Sequence, residues 1–293
     1  MSLQANICGL MHLSLADCLF QHMLYRGDDM AVVSTDKWLE EFISARKLAR
    51  KKELNSLQCS ILCERLGEIF QDGLPEEIQF SLQQQGLFLP NEVVQLEKLK
   101  KNNVWDCVEQ EFIYLQQKWN GPAVPIYIFP ITQQQTMTNK NGVAYPQALF
   151  LFIGEIETRE LQALFAHEYN HVCRLHNLKK SLGDMTLLDS LILEGLAECA
   201  VQELYGEKWL LPWLKNYKLE ELLALWKTYF LPHLKLQGVE KHRPFLYGGK
   251  LPLWIGYCIG YEIVQTYIKN HPTHHPLSIS SQDILAGSDF PLQ

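Results

Sequence analysis

A short motif with the spacing of a zinc site lies in the second half of the chain, where residues 167–171 read His-Glu-Tyr-Asn-His. The flanking apolar residues recur with the period of a helix, and four-residue spacing then puts His167 and His171 on one helix face. Neutral imidazole is a good Zn²⁺ ligand, and the glutamate of an H-E-x-x-H motif can act as general base. Glu168 and His171 also interrupt an apolar stripe, and burying a polar group without a partner costs about 1–3 kcal/mol. A bound cation would satisfy both side chains, although a helix whose histidines and glutamate bond to other side chains is the alternative.

A zinc site needs a third protein ligand, and residues 194–198, Glu-Gly-Leu-Ala-Glu, offer two carboxylates on a second predicted helix. Glu194 and Glu198 lie four residues apart and again interrupt an apolar stripe. We predict that Glu194 is the third ligand and that Glu198 accepts the free N–H of a ligating histidine, which would fix that ring's tautomer. Gly195 would let the two helices approach closely. The alternative is two glutamates on a solvated helix face.

Together the two motifs resemble the gluzincin metallopeptidases, which combine H-E-x-x-H with a later E-x-x-x-D/E. Three stretches also resemble the YjaZ-like proteins, a bacterial family of predicted zinc-dependent proteases: 161–174, 189–203 and 245–264. The resemblance implies a zincin-like fold and one Zn²⁺ per chain, held by His167, His171 and Glu194. It also implies a peptide or protein substrate that lies along an edge strand before the active-site helix, at Val143–Tyr145 or Phe150–Ile153. The chain departs from the best-known gluzincins in having Glu198 where they have aspartate, which makes the role of that position less certain.

The predicted chemistry needs a base and a donor for a developing oxyanion. Glu168 would take a proton from the attacking water and pass it to the leaving amine. Tyr257 and Tyr261, one turn apart on a third predicted helix, are candidate donors to the oxyanion, and His242 is another. Each of these three is also an ordinary core or surface residue in the plainer interpretation.

The elements around these residues indicate an α+β, predominantly helical fold with a small sheet. The 37–70 run, which can be two helices, and the 92–119 run show helical periodicity. Two short strands are expected at Val124–Phe129 and Ala148–Ile153, and Asn141-Gly142 indicates a turn. Further helices are predicted at Arg159–Leu178, Thr186–Tyr205 and Leu253–Lys269. We therefore predict an N-terminal helical region, 1–120, and a zincin-like catalytic domain, 121–293.

Composition narrows the class of protein. The 293 residues are 47% hydrophobic and 20% charged, which is typical of a soluble globular chain. A net charge of 26 − 33 = −7 disfavours nucleic acid or an anionic membrane as partner. No apolar run approaches the ~20 residues that span a bilayer, and the N-terminus lacks the basic segment of a signal peptide. We predict a cytoplasmic protein whose eight cysteines are reduced, mostly in the core. We interpret the Cys59–Cys63 pair as core thiols rather than a metal site, and the 271–276 histidine segment as a surface loop.

The sequence therefore predicts a zinc metallopeptidase. Two alternatives stay open at this point: a zinc-stabilised binding or regulatory module with little or no hydrolysis, and a zinc hydrolase that acts on a non-peptide amide.

Overall fold

The computed structural model describes residues 31–71, 73–134, 139–180 and 182–292. The predictions that concern the N-terminus, Cys8 and Cys18 lie outside these residues. The chain divides into two compact units, one containing the described residues up to Glu168 and the other those from Tyr169 onward. The predicted domain boundary at residue 120 stays a prediction.

The first unit begins with a set of short helices. They are α1 (Thr35–Arg46), α2 (Leu54–Gln58), α3 (Pro75–Gln85), α4 (Leu96–Lys101) and α5 (Val104–Trp119). The 37–70 run is broken after α1 and continues through α2 into a π turn and a 3-10 turn. The 92–119 run is likewise two helices, because Asn103 adopts a left-handed backbone (φ 49°) between α4 and α5. Asparagine tolerates that conformation better than most residues, so the chain can turn there without losing its apolar period.

A three-stranded sheet follows the helices in the same unit. Its strands are β1 (Ile126–Pro130), β2 (Lys140–Tyr145) and β3 (Ala148–Ile153), in the order β1-β3-β2. β3 pairs parallel with β1 and antiparallel with β2. Every residue of β3 is buried, as expected for a central strand with both faces covered.

Two expectations about this sheet are wrong. Asn141 and Gly142 do not form a turn but lie within β2, opposite Phe152 and Leu151 of β3. The Asn141 side chain is buried and donates from Nδ2 to the Gln85 carbonyl (2.7 Å), which fixes it in the strand. Phe150–Ile153 is part of the central strand, so only the segment Val143–Tyr145, in β2, lies on an outer strand of the sheet.

Helix α6 (Thr158–Leu178) leads from the first unit into the second, with the division between Glu168 and Tyr169. The second unit is helical in its described residues. Its helices are α7 (Leu187–Tyr205), α8 (Leu219–Leu225), α9 (Val239–Leu246), α10 (Ile255–Asn270) and α11 (Ser281–Ala286). The described chain is thus predominantly helical with one small sheet, which confirms the coarse α+β prediction.

Helix α7 is the central element of the second unit, with residues 187–201 all buried. A capping box starts it, in which Thr186 and Asp189 satisfy each other's backbone N–H groups. α7 crosses α10 at two glycines: a Cβ on Gly195 would lie 2.1 Å from the Gly260 carbonyl oxygen, and one on Gly260 would lie 2.1 Å from that of Leu191. Gly195 therefore permits close approach to α10, and the prediction that it faces α6 is wrong.

The six cysteines among the described residues are free thiols, five of them buried. Within the described ranges, no helix combines the length and apolarity required to cross a bilayer.

Candidate metal centre

Two helices carry the three predicted ligands. α6 is helical throughout the motif, so His167 and His171 lie one turn apart on it. α7 carries Glu194 near its middle. All three side chains are buried, with exposed fractions of 7%, 1% and 1%.

The structure brings these side chains together as the sequence predicts. Each offers one ligand atom, and the three atoms all lie within 4.8 Å of one another. In the part of the chain that the structure describes, this is the one such group of three or more histidine, cysteine, aspartate or glutamate side chains. The histidines at 271, 274 and 275 and the Cys59–Cys63 pair therefore form no comparable cluster.

The spacing of the donors fits a zinc ion. His171 Nε2 and Glu194 Oε2 are 3.4 Å apart, which is longer than the usual 2.7–3.2 Å of an N–H···O hydrogen bond. Two ligands at about 2.0–2.1 Å from a tetrahedral ion lie about 3.3–3.4 Å from each other. Two imidazoles and a carboxylate are also the donor set of some catalytic zinc sites, which leave a fourth position open. The three residues therefore fit zinc in chemistry, and the His171–Glu194 pair also fits it in spacing.

Glu168, between the two histidines, lies against the sheet. Its side chain is 3% exposed, and a Cβ on Gly142 would lie 2.3 Å from Glu168 Cγ, 2.5 Å from Cδ and 2.6 Å from Oε1. The carboxylate thus occupies the space that a side chain at position 142 would fill. Glycine inside a strand often marks such a close approach, but sequence reasoning missed Gly142 because Asn-Gly is also a turn signal.

Glu198, the predicted partner of a ligating histidine, is buried on α7. One of its oxygens, Oε2, accepts a hydrogen bond from the Leu211 backbone N–H (3.0 Å), which ties the segment after α7 to the helix. Its bond to a ligating histidine stays a prediction.

The two candidate tyrosines have different environments on α10. The Tyr261 hydroxyl donates to Gln202 Oε1 (2.9 Å), and burial raises the pKa of the phenol, so it stays protonated at neutral pH. Tyr257 is 2% exposed and packs its ring against the aromatic side chains of Trp213, Tyr247 and Trp254. Their roles as oxyanion donors stay predictions.

His242, the third candidate donor, is fully buried with both ring nitrogens engaged. Nε2 lies 2.8 Å from the Leu236 carbonyl and Nδ1 lies 2.7 Å from Ser190 Oγ. Because a carbonyl only accepts, Nε2 carries the proton and Nδ1 accepts from the serine hydroxyl. Burial lowers the pKa of His242, which favours this neutral form. Donation to a substrate would require breaking the bond to Leu236.

The chain matches known proteins over the region that holds these residues. Residues 104–286, from the start of α5 to the end of α11, match the family described as Predicted Zn-dependent protease (DUF2268). The chain belongs to this family. It is also 35% identical over 216 residues to the Uncharacterized protein YjaZ of Bacillus subtilis strain 168, a match that covers 70% of this chain and 83% of the relative.

A second relative is more distant. The Uncharacterized protein YjfC of the same organism is 26% identical over 122 residues, which is 38% of this chain and 40% of that protein. No solved structure matches the chain with significance. The family match and the 35% identity to YjaZ confirm the resemblance to the YjaZ-like family.

Proposed function

We propose that this protein is a zinc-dependent metallopeptidase in which His167, His171 and Glu194 hold one Zn²⁺ per chain and Glu168 is the general base. The observation that carries the proposal is the cluster of three buried donor atoms within 4.8 Å. Membership in a family of predicted zinc-dependent proteases adds support. The presence of Glu168 next to the ligands favours a catalytic over a structural ion, since a closed structural site needs no base.

The arrangement around Glu168 supports a zincin-like fold of the gluzincin type. β2 is an outer, antiparallel strand of the sheet, and its Gly142 lies against the Glu168 side chain. An extended peptide that added to this strand would pass close to the base. We further propose that residues 121–293 form the catalytic domain and that a separate helical region, 1–120, precedes it.

The reaction follows from what each side chain can do. Zinc, when bound, would supply Lewis acidity that lowers the pKa of a water and polarises the scissile carbonyl. Glu168 accepts the proton of the attacking water and delivers it to the leaving nitrogen, so the carboxylate is regenerated in each cycle. Its side chain fills the space next to Gly142, and we propose that this packing helps to orient the carboxylate for both transfers.

A donor to the oxyanion completes the mechanism. Tyr257 and Tyr261 are the candidates on α10, because a protonated phenol can donate to the developing charge. Donation by Tyr261 would require breaking its bond to Gln202. Glu198, fixed by Leu211 at one oxygen, is proposed to orient a ligating imidazole with the other.

Glu168→Gln tests the proposed function. Glutamine keeps the size of the side chain but cannot accept the proton, so hydrolysis of a broad fluorogenic peptide library should fall about 10²–10⁴-fold, while zinc content stays at the wild-type value. Glu160→Gln, on the same helix at the Lys140 ion pair, is the matched control and should retain activity. Peptide hydrolysis by zinc-loaded Glu168→Gln at the wild-type rate would contradict the assigned base. A wild-type protein that binds zinc and cleaves no member of the library would contradict the peptidase.

A further inference from the structure

A buried arginine extends from the metal-ligand helix into the C-terminal part of the chain. Arg174 lies on α6, three residues after His171, and is 0% exposed. Burial lowers the pKa of its guanidinium to about 10, and the Asp189 charge opposes that shift, so the group stays charged at neutral pH. Its terminal nitrogens donate to the carbonyl oxygens of Pro276 (3.3 Å), Leu277 (2.9 Å) and Ile279 (2.6 Å) and to Ser281 Oγ (3.1 Å).

A buried aspartate on the other ligand helix also bonds to the C-terminal part of the chain. Asp189 lies on α7, five residues before Glu194, and is also 0% exposed. Its Oδ1 accepts from Ser281 Oγ (2.6 Å), and its Oδ2 accepts from Lys180 Nζ and from the Thr186 N–H and hydroxyl. Burial alone would raise the pKa of Asp189, but these hydrogen bonds outweigh it and lower the pKa.

Ser281 is the link between the two charged groups. Its hydroxyl accepts from Arg174 and donates to Asp189, so the segment 276–281 is hydrogen-bonded to both helices. At 1.5 Å of rise per residue, Arg174 lies about 4.5 Å along α6 from His171, and Asp189 lies about 7.5 Å along α7 from Glu194. The network therefore fixes the two helices to each other within about one and a half turns of the ligands.

This placement matters because the ligands tolerate little movement. His171 Nε2 and Glu194 Oε2 are at a spacing of 3.4 Å, which zinc can bridge, and relative sliding of the helices by even 1 Å would change it. Buried charged networks often add little net stability and can instead specify one arrangement. We infer that Arg174, Ser281 and Asp189 are positioning residues of the metal centre. The inference rests on the proposed zinc site.

Ser281→Ala is the sharpest test, because it removes one hydroxyl at the middle of the network. In this variant Arg174 keeps its three carbonyl acceptors and Asp189 keeps its bonds to Lys180 and Thr186, so both charged side chains remain hydrogen-bonded. The Zn²⁺ dissociation constant is measured on the full chain by competition with a chromophoric chelator, and the ligand geometry is measured from the visible absorption of bound Co²⁺. Groups that hydrogen-bond a metal ligand directly contribute about 10–100-fold to metal affinity. Ser281 acts through the two helices instead, so we expect zinc binding to weaken by no more than about tenfold, together with an altered Co²⁺ spectrum.

Ser280→Ala is the matched control. Ser280 caps the same helix, α11, through the Asp283 N–H, so its loss also destabilises the C-terminal segment but leaves the network intact. It should lower the melting temperature without changing zinc affinity more than about twofold. If Ser281→Ala does not fold, Asp189→Asn, which keeps the size of the side chain, is measured in the same way and should weaken zinc binding in the same direction.

Ser281→Ala with wild-type zinc affinity and an unchanged Co²⁺ spectrum would overturn the positioning role. That result differs from a failure of the proposed function, in which the wild-type chain itself binds no zinc or binds zinc without hydrolysing peptides.

Discussion

The contact between Gly142 and Glu168 yields a quantitative prediction for Gly142→Ala. Gly142 lies in a regular strand and is not among the glycines with positive φ, so alanine is compatible with its backbone. The obstacle is Glu168, because the new Cβ would lie 2.3 Å from Glu168 Cγ. Carbon atoms pack at about 3.5–4.0 Å, so the glutamate must move by about 1.2 Å or more. Misplacement of a reacting group by about 1 Å can cost about 10²-fold in rate.

We therefore expect kcat/KM of Gly142→Ala to fall about 10²-fold with zinc still bound, because the ligands are the side chains of other residues. Rates are measured with a fluorogenic peptide that the wild-type protein cleaves, and zinc is quantified on the same samples. Thermal unfolding shows whether the extra methyl group, whose overpacking cost is about 1–3 kcal/mol, leaves the protein folded at the assay temperature.

Gly67→Ala is the matched control in the same unit, since a Cβ there would meet only the Glu64 carbonyl oxygen at 3.4 Å. Its activity should equal that of the wild type. A folded, zinc-loaded Gly142→Ala that retains activity within about threefold would refute the link between the strand and the position of the base. Loss of zinc from this variant would refute the expectation that displacing Glu168 leaves the zinc ligands in place.

Two further predictions concern the second unit. Burial lowers the pKa of His242 in the folded protein, so protonation of this histidine favours unfolding. Neutral His242 therefore contributes its full stabilisation above the unfolded-state pKa of about 6.5. That stabilisation is lost as the pH falls toward the lower folded-state pKa. In His242→Gln, the free energy of unfolding should therefore fall less steeply below pH 6.5, by up to about 1.4 kcal/mol per pH unit. Urea titration at several pH values measures this dependence. An unchanged dependence on pH would contradict the lowered pKa of His242. Gly195→Ala puts a Cβ 2.1 Å from the Gly260 carbonyl oxygen and should destabilise the protein by about 3 kcal/mol or more in urea unfolding, whereas wild-type stability would show that α7 and α10 separate easily.

The sequence predicts the parts of the site that depend on local spacing. Four-residue separation on a helix is enough to bring His167 and His171 together, and the apolar stripe of α7 indicates that Glu194 is buried. These inferences need no knowledge of the tertiary fold. The coarse helical content follows from residue periodicity in the same way, and the central strand β3 follows from a short, almost wholly apolar run.

The features that sequence reasoning missed depend on contacts between distant residues. Asn141-Gly142 has the composition of a turn, and only the approach of Glu168, 26 residues away, explains a glycine inside a strand. Gly195 indicates close packing, but the partner is α10 rather than the neighbouring α6. Ser281 lies 107 residues from Arg174 along the chain, so no local pattern reveals the network between them.

The central claim is a zinc ion held by His167, His171 and Glu194, and zinc content per chain tests it most directly. Elemental analysis is performed on tag-free wild-type protein, on Glu194→Ala, and on Glu203→Ala, an exposed glutamate of the same helix. We predict about one zinc in the wild type and in Glu203→Ala, and much less in Glu194→Ala, which retains only two of the three protein ligands. Folded wild-type protein that takes up no zinc when zinc is supplied, or Glu194→Ala that retains a full equivalent, would contradict the site.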